Sequence, residues 1–138
     1  ISFMQLGPRY KLCRRLGPGV FEKCQTPKFV ASTAKKLQKR GKAPSDYGLQ
    51  LIEKQKVRLS YGISERQFRN YVNKATETKS AGAAANLFEG LEMRLDNAAY
   101  RMGLAHTRAL ARQMVSHGHL LVNGKRTNVP SCALRVGD

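Results

Sequence analysis

From Ser45 onward, apolar positions recur with a helical period. Ser45 can cap a helix over Asp46–Ser60. Asp46 suits the positive end of its dipole, Leu49, Ile52 and Leu59 form an apolar stripe, and Lys54 and Arg58 lie four apart on another. Tyr61-Gly62 ends that helix. Ser64 and Gln67 then have capping-box spacing, with Ile63 and Phe68 at the staple positions, and Phe68, Tyr71, Val72 and Ala75 make the buried face of the next helix. Aromatics at that spacing build cores more often than base-stacking platforms. After a polar connection over Thr76–Ala81, residues Leu87, Phe88, Leu91, Leu95, Ala98 and Met102 carry a helical pattern from Ala83 to Met102. Gly90 is the expected break into two helices and Gly103 the stop. Thr107 caps a helix over Arg108–His117, with Leu110, Met114 and Val115 inward and Gly118 ending it. Asn123-Gly124 between Leu120-Leu121-Val122 and Lys125-Arg126 is a hairpin signal, because both turn residues tolerate positive φ. Arg135–Asp138 reads as a strand ending in a turn.

Residues 1–44 differ in kind. Gly7-Pro8, Gly17-Pro18-Gly19, Pro27 and Pro44 interrupt any long element, which predicts loops with short helical turns over Lys11–Leu16 and Ser32–Lys39. The expected class is α+β and mostly helical. An extended basic N-terminal arm (1–45) leads into a helical domain (46–92), then a small helix–turn–helix and β-hairpin module (93–138).

Charge sharpens this division. The 138-residue chain carries 25 Lys and Arg against 9 Asp and Glu, a net +16. The arm holds +10, the middle +1 and the last segment +5. A polycationic arm repels itself until a polyanion neutralises it. A membrane-bound helix would need a strong apolar face, yet the densest run, Lys35, Lys36, Lys39, Arg40 and Lys42, offers only Ala34, Leu37 and Ala43. No run of 18 apolar residues and no signal peptide is evident. Nucleic acid is therefore the favoured partner, with neither a membrane nor a small-molecule substrate. Any single basic cluster can be a solvated face, but here both end segments are basic. Arg108 and Arg112 lie one turn apart, and with Leu110 and Met114 packed inward both guanidiniums should point to solvent. On that reading, replacing both with Ala flattens the salt dependence of RNA binding and changes the thermal midpoint little.

Met93-Arg94-Leu95-Asp96-Asn97-Ala98-Ala99-Tyr100-Arg101-Met102-Gly103-Leu104-Ala105, Thr107-Arg108, Ala111-Arg112-Gln113, His117-Gly118-His119, Val122-Asn123-Gly124-Lys125-Arg126 and Val129-Pro130-Ser131 resemble the RNA-binding module of the bacterial small-subunit ribosomal protein four family. Ser45-Asp46-Tyr47-Gly48, Glu53-Lys54-Gln55-Lys56 and Tyr61 through Asn70 resemble that family's helical domain, and Gly7-Pro8 with Leu12-Cys13-Arg14-Arg15 its arm. The resemblance is weaker over residues 20–43. It implies a primary rRNA-binding protein that nucleates assembly of the small-subunit body and lies near the mRNA entrance. The implied partners are 16S-type rRNA, neighbouring small-subunit proteins and mRNA, in the cytoplasm and without a cofactor. The residues expected at RNA phosphates are Arg9, Lys11, Arg14, Arg15, Lys35, Lys36, Arg40, Arg69, Arg101, Arg108, Arg112, Lys125 and Arg126. Side chains do not readily enter the narrow major groove of A-form RNA, so recognition should rest on shape, phosphate and 2′-hydroxyl. Two departures are His106 and Ala109, where the family commonly has basic residues; a weaker or pH-sensitive grip follows. Family members also continue past a Gly-Asp such as Gly137-Asp138, so a C-terminal tail is expected to be missing.

Many relatives carry a four-cysteine zinc site in the arm. Cys13 and Cys24 match half of it, while Tyr10 and Phe29 occupy the other two positions. Structural zinc takes four Cys or His ligands, so no metal is expected, and Tyr10 and Phe29 could supply an apolar cluster instead. Three cysteines without a secretory signal argue against a disulfide framework, so Cys13 and Cys24 read as two free cysteines that could fall within disulfide range only by accident. The alternative function is the RNA-binding appendage of an RNA-modifying enzyme such as a pseudouridine synthase, whose catalytic Arg-Leu-Asp resembles Arg94-Leu95-Asp96. Here Asn97-Ala98-Ala99-Tyr100 follows and reads as helix, so an ion-pair or capping role for Asp96 is favoured and no catalytic residue is assigned.

Overall fold

A computed structural model describes residues 7–37, 45–78 and 82–138, with the side chains of residues 35–37 left out. The chain divides into two compact units, residues 1–63 and 64–138.

The first unit holds α1 (Arg9–Leu16), two 3₁₀ turns (Pro18–Val20 and Glu22–Cys24), α2 (Pro27–Leu37) and α3 (Asp46–Ser60). Arm residues expected to loop are thus largely helical. The reason is a private core: Cys13, Leu16, Val20, Phe21 and Cys24 bury themselves with Leu59 of α3, and Leu12, Phe29 and Ile52 close over them. Burial of these side chains, each worth about 1.5–3 kcal/mol when large and apolar, offsets the breaking effect of Gly and Pro. Those residues instead turn the chain: Gly17 sits at φ +111° after α1, and Pro18 starts the first 3₁₀ turn. α2 begins at Pro27, five residues earlier than expected, where proline's missing N–H costs nothing. Ser45 caps α3 as predicted, its Oγ accepting from Gly48 N at 3.3 Å. Leu49 departs from the predicted stripe, remaining half exposed at 50%.

Cys13 and Cys24 are fully buried and bonded to each other as a disulfide, so the expectation of free cysteines gives way and their closeness is no accident. The odd count misled because Cys132, the third cysteine, stands alone in the other unit.

The second unit holds α4 (Glu65–Glu77), α5 (Ala83–Glu92), α6 (Leu95–Arg101), α7 (Arg108–Ser116) and a hairpin of β1 (Leu121–Val122) and β2 (Lys125–Arg126). The capping box forms, with Gln67 N donating to Ser64 Oγ and Ser64 N to Gln67 Oε1. α5 returns antiparallel to α4, and Asn86 Nδ2 donates to the carbonyls of Ala75 and Thr78 at the end of α4. Gly90 does not break the helix. It faces the Tyr71 ring, where a Cβ would stand at an ordinary contact distance of 3.5 Å from Cδ1. The break falls at Arg94, whose backbone is extended (φ −70°, ψ 138°). There the chain pairs with the tail: Arg94 bridges Ala133, Leu95 N donates to Cys132 O, Asp96 N to Pro130 O, and Leu134 N to Met93 O. The opening N–H groups of α6 thus find partners far along the sequence.

Thr107 caps α7, its Oγ1 accepting from Leu110 N. Gly103 and Gly118 follow α6 and α7 at φ +79° and +72°. Leu121 pairs with Arg126 and Val122 with Lys125. Asn123 (φ 51°) and Gly124 (φ 77°) make the left-handed turn that their residue types predict. Of the strand ending in a turn expected over Arg135–Asp138, the strand does not form and the turn does, at Val136-Gly137. Arg135 N and Asn123 Nδ2 each donate to the Asp138 carboxylate at 2.8 Å, tying the hairpin tip to the tail. These bonds hold that carboxyl below its ordinary value.

Candidate nucleic-acid interface

Arg108, Ala111, Arg112 and Val115 occupy positions i, i+3, i+4 and i+7 of α7 and form one stripe. That stripe faces α6. Ala111 and Val115 are fully buried, and Ala111 clusters with Ala99 and Ala105. Two alanines at the seam let the helices approach closely, which leaves the larger Leu110 41% exposed. The predicted burial of Leu110 is thus overturned, and with it the outward direction of both arginines. The flanking Arg108 and Arg112 point along the seam into polar partners on α6.

Asp96, 2% exposed, is the centre of these contacts. Its carboxylate accepts Nε and Nη2 of Arg94 at 3.0 and 2.8 Å, a two-pronged pairing. On its other side it accepts Nε and Nη2 of Arg112 at 2.8 and 2.7 Å. Arg94, itself 2% exposed, also donates Nη1 to the Tyr71 hydroxyl at 2.9 Å. Burial works against its charge, but Asp96 and then Tyr71 outweigh it, and the Arg94 pKa is raised. Two guanidiniums share one carboxylate, so the cluster keeps a positive charge beneath the surface. Asp96 therefore has the predicted ion-pair role.

A parallel chain runs through the neighbouring residue. Asn97, 1% exposed, donates Nδ2 to Glu92 O at 3.1 Å and to Glu92 Oε2 at 2.8 Å. Its Oδ1 accepts Nε of Arg108 at 2.8 Å, and the Arg108 guanidinium lies 4.4 Å from the centre of the Tyr100 ring. Arg101 forks onto Glu92 with Nε at 3.1 Å and Nη2 at 2.9 Å. Arg94, Asp96, Asn97, Tyr100 and Glu92 thus position the predicted cations. Their spacing in the sequence gives no hint of this, since the partners lie 11 and 16 residues away. Loss of Arg112 should also lower stability, contrary to the expectation of little change in the midpoint.

On the hairpin, Lys125 and Arg126 are exposed. The Arg126 stem crosses Gly118, where a Cβ would meet its Cδ at 3.1 Å, so Gly118 both ends α7 and seats this arginine. His106, His117 and His119 are exposed on the same unit, the last two with ring centres 6.0 Å apart. Arg69 is exposed on α4.

In the first unit, Arg9, Lys11, Arg14 and Arg15 occupy the exposed side of α1 while Cys13 and Leu16 face inward. Aromatic contacts hold this surface: Arg9 lies 5.9 Å from the Phe21 ring centre, and Lys23 lies 5.3 Å from that of Tyr10. Tyr10 in turn meets Phe29 at 5.4 Å between ring centres, the apolar pairing expected at those two positions. Lys23 and Lys28, both exposed, extend the basic character beyond the predicted set. Lys35 and Lys36 fall in the last turn of α2, but their side chains, like Arg40, lie outside the described residues. Among the described residues, no cluster of three His, Cys, Asp or Glu could hold a metal, and no helix is long and apolar enough to cross a membrane.

Residues 5–92 match the ribosomal protein S4/S9 N-terminal domain, and residues 93–138 match the S4 domain. Proteins named small ribosomal subunit protein uS4 align with nearly all of the chain. That of Desulfitobacterium hafniense is 45% identical over 140 residues, covering 96% of this chain and 67% of its own length. The Thermus thermophilus protein is 46% identical over 142 residues with the same coverages. The Roseiflexus protein reaches 49% over 140 residues, with 65% of its own length covered. Family matches across both units and identities near one half leave a single assignment: the chain belongs to the uS4 family of small ribosomal subunit proteins.

Proposed function

We propose that this protein is a structural, non-enzymatic constituent of the small ribosomal subunit. It binds rRNA early, nucleates assembly of the subunit body and lies near the mRNA entrance. Its partners on this reading are 16S-type rRNA, adjacent small-subunit proteins and mRNA, in the cytoplasm. The observation that carries the reading is the paired cationic construction: a basic α1 surface in the first unit, and in the second a rigid α6–α7 pair with arginines set along its seam and a basic hairpin beside it. Fixed guanidiniums recognise the spacing of phosphates on a folded RNA, whereas flexible ones follow any polyanion. The residues proposed to touch RNA are Arg9, Lys11, Arg14 and Arg15 on α1, Lys35, Lys36 and Arg40 beyond them, Arg69 on α4, and Arg101, Arg108, Arg112, Lys125 and Arg126 on the second unit.

The enzyme reading gains nothing from Asp96. A carboxylate 2% exposed and accepting from two arginines has no path to a substrate. The test is co-sedimentation. The protein should stay with small subunits through a high-salt wash and bind transcribed small-subunit rRNA in preference to polyuridine of equal length. Release at moderate salt without preference would refute the proposal.

A further inference from the structure

Arg94 and Arg112 are held by a carboxylate, which cancels part of their charge. Arg108 has two contacts of another kind. Asn97 Oδ1 accepts its Nε at 2.8 Å, and the Tyr100 ring lies beneath its guanidinium at 4.4 Å. An amide oxygen and an aromatic face carry no net charge, so these two contacts orient the cation without themselves neutralising it. Asn97 is itself immobile: 1% exposed, its amide nitrogen is engaged by both the carbonyl and the carboxylate of Glu92. Those two bonds fix which way its amide points and aim Oδ1 at Arg108.

We infer that Asn97 and Tyr100 are positioning residues for Arg108, one taking its Nε and the other backing its face, so that the guanidinium meets an RNA phosphate already oriented. The inference rests on the RNA-binding reading above. Its physical content is preorganisation. A free arginine side chain must give up its rotamer freedom on binding; one held from two sides has given it up in folding. The site's chemistry also accounts for the residue types. A Lys at 108 would have no Nε–H in a planar fork and no flat face for the ring. An Asp at 97 would cancel the charge it aims.

The test is a double-mutant cycle on the full 138-residue chain, reading affinity for transcribed small-subunit rRNA across a salt series. Arg108→Ala should lower the slope of log affinity against log salt by about one phosphate equivalent, ~0.7–0.9. Asn97→Ala keeps every charge. It should leave the slope as in the parent and weaken binding by about three- to tenfold, the scale of immobilising one long side chain. In the Arg108→Ala background, Asn97→Ala should cost nothing further. Tyr100→Leu should behave as Asn97→Ala does, and it decides the matter if Asn97→Ala fails to fold. Equal loss in both backgrounds would mean a merely structural role and overturn the inference. So would no loss at all, or an Arg108→Ala slope equal to the parent's. If instead the parent protein does not prefer rRNA to polyuridine, the RNA-binding reading itself has failed.

Discussion

Asp96→Asn offers the sharpest test of how the second unit is held together. The substitution keeps shape and volume but removes the charge between two guanidiniums. The Arg94 side chain is 3% exposed and cannot turn to water. Whichever way the new amide turns, its N–H groups meet a donor, Arg94 Nε at the Oδ1 position or Arg94 and Arg112 at the Oδ2 position. Breaking a buried pair from one side costs about 3–5 kcal/mol, mostly because the surviving charge is stranded. The unit spans about 75 residues, for which total stability is roughly 4–11 kcal/mol. The loss is thus a large fraction of the whole, and at about 4–8 °C per kcal/mol it should lower the unit's midpoint by roughly 12 °C or more. Thermal unfolding by circular dichroism gives the midpoint, and amide exchange over residues 94–116 reports this unit alone. The matched control is Glu53→Gln, which removes the exposed α3 pair with Lys56 and should cost less than about 1 kcal/mol. A midpoint within about 3 °C of the parent, with exchange over α6 and α7 unchanged, would refute the reasoning.

Further outcomes follow from the other unit and from single positions. Reducing the Cys13–Cys24 bond, or replacing both residues with Ser, should destabilise the first unit by roughly 3 kcal/mol, as expected for a closure of 11 residues; an unfolding curve unmoved by dithiothreitol would count against it. Gly90→Ala should stabilise α5 by about 0.5–1 kcal/mol in urea unfolding, because the added methyl meets Tyr71 Cδ1 at an ordinary 3.5 Å, whereas a loss would show that the helices cannot accept it. Asp138 has a carboxyl pKa below the ordinary 3.8, through bonds from Arg135 N and then Asn123. Its folded value is the depressed one, so the tie is fully present above the unfolded value and is lost as pH falls through the folded value; carbon-detected NMR should place its midpoint below 3.8 in the parent and nearer to it in Asn123→Ala.

The sequence signals that match the structure are those whose chemistry is local. The Ser45 and Thr107 caps, the Ser64–Gln67 box and the Asn123-Gly124 turn each satisfy backbone groups within three residues, so the determinant and its effect lie side by side. The cationic arm and module were equally plain, because charge is a property of composition. Less legible was anything fixed by a distant partner. The break between α5 and α6 falls at Arg94 because residues 130–134 pair there, and not at Gly90, which stays inside α5. The arm folds because Leu59 and Ile52 of α3 complete a core that residues 9–24 cannot close alone.

The same distinction decides the candidate interface. Spacing alone placed Arg108 and Arg112 on one face of one helix, and that holds. Which way the face turned was settled by Ala99 and Ala111, whose small side chains draw α6 and α7 together and make the arginine stripe the seam. A periodic pattern reports that a helix has two sides; it does not weigh close backbone approach against the burial of one more leucine. Residue type and order therefore determined the elements, their caps and the basic character of this protein, while tertiary packing decided that its arginines are structural and cationic at once, held in place by Asp96 and Asn97.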